Sequence, residues 1–418
     1  MLHALLLLTG MLAPMNDWTK EWTSWAPRAE IAPRFSAEAS GGRNGNGALK
    51  MEGNGNSASW GVWRRKIEGV FGGRTYRFTS RYRSQGVANP GWSISPRITW
   101  LDAKGKWVRP PDLLLESGKD GSWTSFEQLI EAPAGTQSAL IELAFGWSAG
   151  GTVWWDETTL VEGPSPKQRI VRAMTVFDRP HDTASTTKSV EEFCAIVEGA
   201  ASQRPDIVCL PEGITAIGTG KTYVDVSEPV PGPTTARLGE TAKKLNSYIV
   251  AGLYERVGHI VYNTAVLIGR KGELVGKYRK TQLPREEVEA GLTPGDSYPI
   301  FETDFGKVAL MICWDIQFPE PARAMCAKGA EVILLPIAGG SDVLARARAI
   351  ENHVFLISSS YDMRTFIVDP KGDVLAEATK NGQAVLAELH LDRKIIQYWV
   401  GDMKPRTWKE RRTDIKVD

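Results

Sequence analysis

Apolar positions along this chain fall into two rhythms. Between residues 18 and 162, short runs alternate apolar with polar side chains, as in YRFTSRYR (76–83), SISPRITW (93–100) and SALIELAFG (138–146). Turn-forming clusters at 41–47, 102–106 and 117–122 separate the runs. A period of two, interrupted at that spacing, predicts antiparallel strands with one face each turned to a core, and so a β-sandwich. The segment TVWWDETTLVEG supplies its closing strand. After PSPK at 164–167 the rhythm changes, and apolar strands alternate with helical stretches. Strands are expected at 170–177, 206–210, 248–253, 264–268, 274–278, 308–312, 332–336, 354–358, 366–368 and 384–388. Helices are expected at 189–201, 234–245, 320–328 and 341–352. Alternation of this kind predicts an α/β sheet with helices on its faces.

One stretch of the second part stands out. In GKVALMICWDIQFPEPAR (306–323), the run 308–312 is short, has no Gly or Pro and is flanked by turn-formers, so it reads as a buried parallel strand. Cys313 then falls at the strand's C-terminal end, where open α/β sheets carry their chemistry. On residue type alone, a cysteine ending a hydrophobic strand is most often a small core residue.

Composition separates the two parts further. Twelve of the fifteen tryptophans precede residue 160, and only Trp314, Trp399 and Trp408 follow it, so the two parts have different cores. A length of 418 residues fits two or three domains. With 50 basic against 49 acidic residues, the charge balance argues against nucleic acid or an anionic membrane as the main partner. The four cysteines, Cys194, Cys209, Cys313 and Cys326, have neither metal-ligand spacing nor the density of a disulfide scaffold. The apolar segment ALLLLTGMLA (4–13) is too short to span a bilayer and resembles a signal-peptide core, although the usual charged leader is missing. Secretion to the periplasm or exterior is therefore the expected localisation, with the cytoplasm as its alternative. No later stretch has the ~20 apolar residues that a membrane helix needs.

Three polar residues end three apolar runs: DIVCLPE at Glu212, GELVGKYRK at Lys280 and KVALMIC at Cys313. Each lies at or just after the end of a predicted strand, so a sheet can bring all three to one rim. A thiol needs a base to take its proton, and a nearby cation lowers its pKa. Taken singly, Glu212 reads equally well as a helix cap after Pro211, and Lys280 as a solvated lysine. The histidines offer no partner motif for Cys313, and His353 reads as a structural residue at a helix–strand junction. Cys194, Cys209 and Cys326 read as buried thiols, and a Cys209–Cys313 disulfide would remove the candidate nucleophile.

The segments CLPEG, KYRKTQLP and MICWDIQFPE, in that order, resemble the three signatures of the nitrilase superfamily, the carbon–nitrogen hydrolases. LTPGDSYPIFETDFGKVALMIC, AEVILLP and RARAIENHVF fit the same family, so the resemblance covers residues 169 to 408. It implies a four-layer α-β-β-α sandwich, often assembled as a homo-oligomer, that needs no metal or organic cofactor. It also implies Cys313 as nucleophile, Glu212 as general base and acid, Lys280 as stabiliser of the tetrahedral intermediate, and the backbone N–H of Trp314 as oxyanion donor. Many members carry a second glutamate between the lysine and cysteine motifs. REEVEAG (285–291) offers Glu286, Glu287 and Glu289, and Glu289, just before GLTPG, is the expected one. The organisation read from the sequence is thus a signal-like segment 1–14, a β-sandwich 15–163, a linker 164–168 and a nitrilase-like domain 169–418.

Residues 18 to 163 resemble jelly-roll, galactose-binding-like sandwiches, many of which bind carbohydrate. Trp92, Trp107 and Trp123 lie near predicted turns and are the candidates for stacking on sugar rings; core or interface packing is the alternative for the same side chains. For the catalytic part, Asp315 after Trp314 favours amide hydrolysis, because true nitrilases of the family usually carry glutamate there. The expected substrate is a small amide. N-carbamoyl and nitrile hydrolysis on the same three residues are the alternatives, and a non-catalytic glycan-binding protein is the third reading.

Overall fold

The computed structural model describes residues 19–415. The apolar segment 4–13 lies outside them. Two compact units result: one holds the described residues up to Lys167 together with those from Lys394 onward, the other Gln168–Arg393.

In the first unit all strand pairs are antiparallel. One sheet runs Thr23–Trp25, Trp60–Glu68, Ser138–Gly146, Ile94–Leu101, Asp112–Leu113, each paired with the next. The other runs Arg34–Glu38, Ala48–Glu52, Thr152–Glu162, Thr75–Gln85, Trp123–Glu131, Gly118–Asp120. Alternation decides which side chains go inward: Phe78, Tyr82, Phe126 and Trp155 from one sheet meet Ile98, Trp100, Ile141 and Leu143 from the other in a single core. Trp154, one residue away from Trp155, turns to the opposite face and packs with Trp123 and Ala48.

The C-terminal segment departs from the domain limits read from the sequence, where it continues the second domain to Asp418. It groups instead with the first unit because its helix, Met403–Glu410, is tied there. The Lys409 ammonium donates to the carbonyls of Gly91 and Ile94, both at 3.3 Å, and Asn89 donates to Thr413 at 3.0 Å.

The second unit contains two six-stranded mixed sheets. The first has the order Leu274–Arg279, Ile260–Ile268, Tyr248–Val257, Ile207–Cys209, Ile170–Phe177, Gln383–His390, with its parallel pairs on either side of Ile207–Cys209. The second has the order Ile300–Glu302, Lys307–Leu310, Val332–Pro336, Phe355–Ser359, Thr365–Val368, Val374–Ala378, with the parallel pairs at Val332–Pro336. Ile207, Cys209 and Leu267 of one sheet share a core with Leu310, Leu334 and Ile357 of the other. Val208 and Val266, pointing the opposite way, pack under helices Thr186–Gly199 and Pro233–Leu245 through Phe193, Val197 and Leu238. Helices Pro319–Ala327 and Asp342–Asn352 contact the second sheet. The layers are thus helix, sheet, sheet, helix.

Local sequence accounts for the helix ends. Ser185 and Ser341 accept from the amides of Lys188 and Leu344 as N-caps. His353, at φ 54°, ends the Asp342–Asn352 helix in the left-handed region, the structural position expected of it. All four cysteines are free thiols, and Cys194, Cys209 and Cys326 are buried.

Candidate active site

Three strand ends and one short helix converge on a cavity of about 470 Å³ in the second unit. Glu212 arrives one turn after the Ile207–Cys209 strand. Its backbone lies so close to the neighbouring strand that a Cβ on Gly252 would stand 2.6 Å from the Glu212 Cα, which makes glycine necessary there. Lys280 directly follows the Leu274–Arg279 strand, and its amide donates to the Asn263 carbonyl at 2.9 Å. Cys313 follows Ile312 and begins the short 3-10 helix Cys313–Gln317 at φ 41°. A left-handed backbone at a non-glycine residue costs of order 1 kcal/mol or more, and it swings this side chain out of the strand direction.

Buried polar groups meet in the cavity wall. Lys280 is 1% exposed, and its ammonium donates to Glu212 Oε1 and Glu287 Oε1, both at 3.0 Å. Asn263 Nδ2 donates to the same two oxygens, at 2.7 and 2.6 Å. Glu212 Oε2 accepts from the Ala338 amide at 2.9 Å, and the Glu212 carbonyl accepts from Tyr361 Oη at 2.8 Å. The glutamate is thereby fixed at its carboxylate and at its backbone.

Electrostatics follow from this burial. Desolvation, then the Glu212 charge, pushes the Cys313 thiol up to about 12, while Lys280 pulls it down. Burial opposes charge on Lys280, yet the charges of Glu212, Cys313 and Glu287 together hold its pKa above the ordinary lysine value. Burial raises Glu287, with Lys280 opposing and Glu212 reinforcing. At neutral pH the Cys313 thiol therefore stays protonated while Lys280 stays charged.

The structure brings Glu212, Lys280 and Cys313 to the same cavity and adds Glu287 to them. It does not bring Glu289 there. On the helix Arg285–Glu289, at 3.6 residues per turn, positions 287 and 289 project about 200° apart. The inner position falls to Glu287, whereas Glu289 is 60% exposed in its side chain and pairs with Arg285 at 2.7 Å. Glu287→Gln should accordingly lower kcat/KM on the order of 100-fold, while Glu289→Gln leaves it within about twofold. Ammonia-release kinetics on the two variants, with thermal midpoints as a control for folding, check this; equal losses would contradict it.

Asp315, which in the sequence pointed only to the substrate class, has a structural place. It is fully buried, lies outside the cavity lining, and accepts from the Ile312 amide at 2.9 Å, Tyr278 Oη at 2.8 Å and the Gln282 amide at 3.1 Å. Burial raises its pKa to about 6 against those donors. Asp315 joins the turn bearing Cys313 to the segment bearing Lys280; it does not contact what enters the cavity.

Asn263, Tyr361 and the Ala338 amide were not foreseen. Asn263 had a visible signal, an amide side chain inside the apolar run VYNTAVLIG; the other two act from loops with no local signature. Tyr223 and Tyr254, stacked at 4.5 Å, form another wall of the cavity, and Arg179, paired with Asp362, is also in its lining. Among the described residues no group of three or more His, Cys, Asp or Glu side chains is arranged to hold a metal ion. No helix among them is long and apolar enough to cross a membrane.

Comparison with known proteins places these residues in context. Residues 171–397 match the family model described as "Carbon-nitrogen hydrolase". Omega-amidase NIT2 of Homo sapiens is 30% identical over 231 residues, covering 49% of this chain and 84% of that protein. A protein named nitrilase from Pyrococcus abyssi is 34% identical over 214 residues, covering 47% of this chain and 81% of its own length. Among solved structures, a Saccharomyces cerevisiae member of branch 10 of the nitrilase superfamily aligns with a TM-score of 0.49 at 25% identity, over 53% of this chain and 90% of that one.

Proposed function

The chain belongs to the carbon–nitrogen hydrolase family, and on that premise we propose that its second unit hydrolyses a small amide through a thioester on Cys313. The observation that carries this reading is the shared Lys280 ammonium, held 3.0 Å from each of two buried carboxylates in the cavity that Cys313 lines.

The groups divide the work by their charge. The Cys313 thiol, too weakly acidic to ionise by itself, gives its proton to Glu212 as sulfur attacks the carbonyl carbon. A carboxylate has about four acceptor directions. Lys280, Asn263 and the Ala338 amide take three on Glu212, which leaves one to receive the thiol proton. The carbonyl oxygen becomes negative between Lys280 and the Trp314 N–H; losing such a donor typically costs ~3 kcal/mol in the transition state. Glu212 then protonates the departing nitrogen, the C–N bond breaks and ammonia or an amine leaves. Water attacks the thioester, Glu212 takes its proton, the C–S bond breaks and the sulfur recovers its hydrogen. The sum is amide plus water to acid plus amine.

Glu287 has a separate part. Its Oε2 is buried without a partner, and the residue lines the cavity. An unpaired buried acceptor is costly, and a substrate amide N–H₂ would satisfy it. Such a donor is present in an amide and absent from a nitrile. The omega-amidase relatives support the same preference.

A panel of primary amides, ureido acids and nitriles assayed for ammonia tests the substrate class. Turnover is expected with amides, at least ~100-fold above the corresponding nitriles in kcat/KM. Nitrile or ureido-acid turnover without amide turnover would transfer the reading to those substrates, and no release from any of the three would reject it.

A further inference from the structure

We propose that the first unit carries a second ligand site, independent of the hydrolase reading: a tryptophan-walled cavity that binds a neutral pyranose ring. The cavity measures about 320 Å³ and Trp60, Trp92, Trp107, Trp147 and Trp399 line it. That volume lies at the lower end of the ~300–1,000 Å³ range of small-molecule pockets. Three of these rings are left largely in water: Trp107 is 67% exposed, Trp147 49% and Trp399 78%. Trp123, the third tryptophan singled out in the sequence, is absent from it; at 7% exposed it packs with Trp154 and Ala48.

The backbone is shaped around these rings. Trp147 holds φ 54°, a left-handed conformation costly for an aromatic residue, with its amide donating to the Ser59 carbonyl at 2.6 Å. Its ring stacks on Trp92 at 4.5 Å and 17°, and the Arg412 guanidinium sits 4.4 Å from the Trp92 ring centroid. Trp92 is thus a backing plate, and Trp147 offers its outer face. Next to it, any side chain on Gly146 would collide with the Trp60 indole. The buried Lys409, bonded to the Gly91 and Ile94 carbonyls, fixes the helix that brings Arg406 and Glu410 to the same cavity.

Charge decides between occupants. Arg97 is paired with Glu142 and Arg406 with Glu410, both at 2.5 Å, and Lys409 lies 3.7 Å from Glu116. Each cation of the lining already faces a carboxylate, so neither an anion nor a cation gains an unpaired partner there. An aliphatic chain would strip water from Ser93, Ser95, Arg406 and Glu410 without replacing its hydrogen bonds. A pyranose has an apolar C–H face to lie on an indole and an edge of hydroxyls that both donate and accept, matching the serines and the Arg406–Glu410 pair.

The test uses the full chain and a panel of cellohexaose, chitohexaose, xylohexaose and maltohexaose, read by tryptophan fluorescence titration. At least one should give a saturable change. Trp107→Ala and Trp147→Ala should each weaken that binding about tenfold or more, whereas Phe71→Ala, an exposed aromatic outside the cavity, leaves it unchanged. Thermal midpoints and ammonia release should be the same in all four proteins, which separates this site from the hydrolase. Saturation by none of the four sugars, equal weakening by Phe71→Ala, or binding of adenosine or choline in their place would overturn the proposal.

Discussion

Cys313→Ala abolishes ammonia release from every amide the wild-type protein turns over, a loss of at least ~10⁴-fold, while the thermal midpoint stays within a few degrees. The two halves of this result have separate causes. The sulfur makes one polar contact to the backbone, 3.6 Å from the Gly339 carbonyl, so truncation removes little that holds the fold. Alanine inherits the left-handed backbone at φ 41° with the same Cβ, which leaves the strain of the turn unchanged. Chemistry, by contrast, has no substitute atom. Cys313→Ser keeps an acceptor of the proton transfer in place but presents a hydroxyl, far less acidic than a thiol already pushed up to about 12, so its activity should also be at background. Turnover above one-hundredth of wild type in Cys313→Ala would remove the nucleophile from the account. Unfolding of the variant would leave Cys313→Ser, whose volume is nearly that of the native residue, to decide the same point.

The second large effect is expected at Lys280, and it reaches stability as well as rate. Lys280→Met removes the cation that is hydrogen-bonded to both Glu212 and Glu287, each 5% exposed. Deleting one partner of a buried ionic group leaves uncompensated charge and typically costs about 3–5 kcal/mol. Asn263 still bridges the carboxylates, but a neutral amide cannot balance two negative charges. The loss should depend on pH in a definite direction. Burial already raises the folded pKa of Glu287, with Lys280 opposing the rise, so in the variant it rises further. A carboxyl raised in the folded state contributes stability below its unfolded pKa and loses it as pH climbs through the folded value. The deficit of Lys280→Met against wild type should therefore be smallest near pH 4 and grow toward pH 8. Urea unfolding at the two pH values checks it, and a deficit that shrinks with rising pH would contradict it. Adding Glu287→Gln should restore much of the stability and none of the activity.

Much of this site was legible in the sequence because it uses strand ends. An apolar run that stops on a polar residue marks both the strand and the point where its C-terminus reaches the rim, which is why Glu212, Lys280 and Cys313 stand out although 68 and 33 residues separate them. The helices themselves were legible from their apolar periodicity, but not every limit was: the one expected from 189 begins at Thr186, because Ser185 caps it. What remained hidden was rotation and reach. Whether position 287 or 289 faces the cavity depends on how one turn of helix is seated, and composition says nothing of that. Asp315 stood in the sequence only as a pointer to an amide substrate, and nothing local showed that the 3-10 turn carries it inward beneath the strand ends. The grouping of the last helix with the first unit rests on Lys409 reaching carbonyls more than 300 residues earlier, a contact without local trace.

The central claim is a covalent acyl group on Cys313, and intact-protein mass spectrometry tests it most directly. A p-nitrophenyl ester is the suitable reagent, since its leaving group needs no proton and acylation outruns hydrolysis of the thioester. Wild-type protein quenched in acid within the burst should gain the mass of the acyl group less one hydrogen, and peptide mapping should assign that mass to residue 313. A burst of p-nitrophenol with no mass gain, or an adduct on Lys280 while Cys313 remains free, would contradict the account.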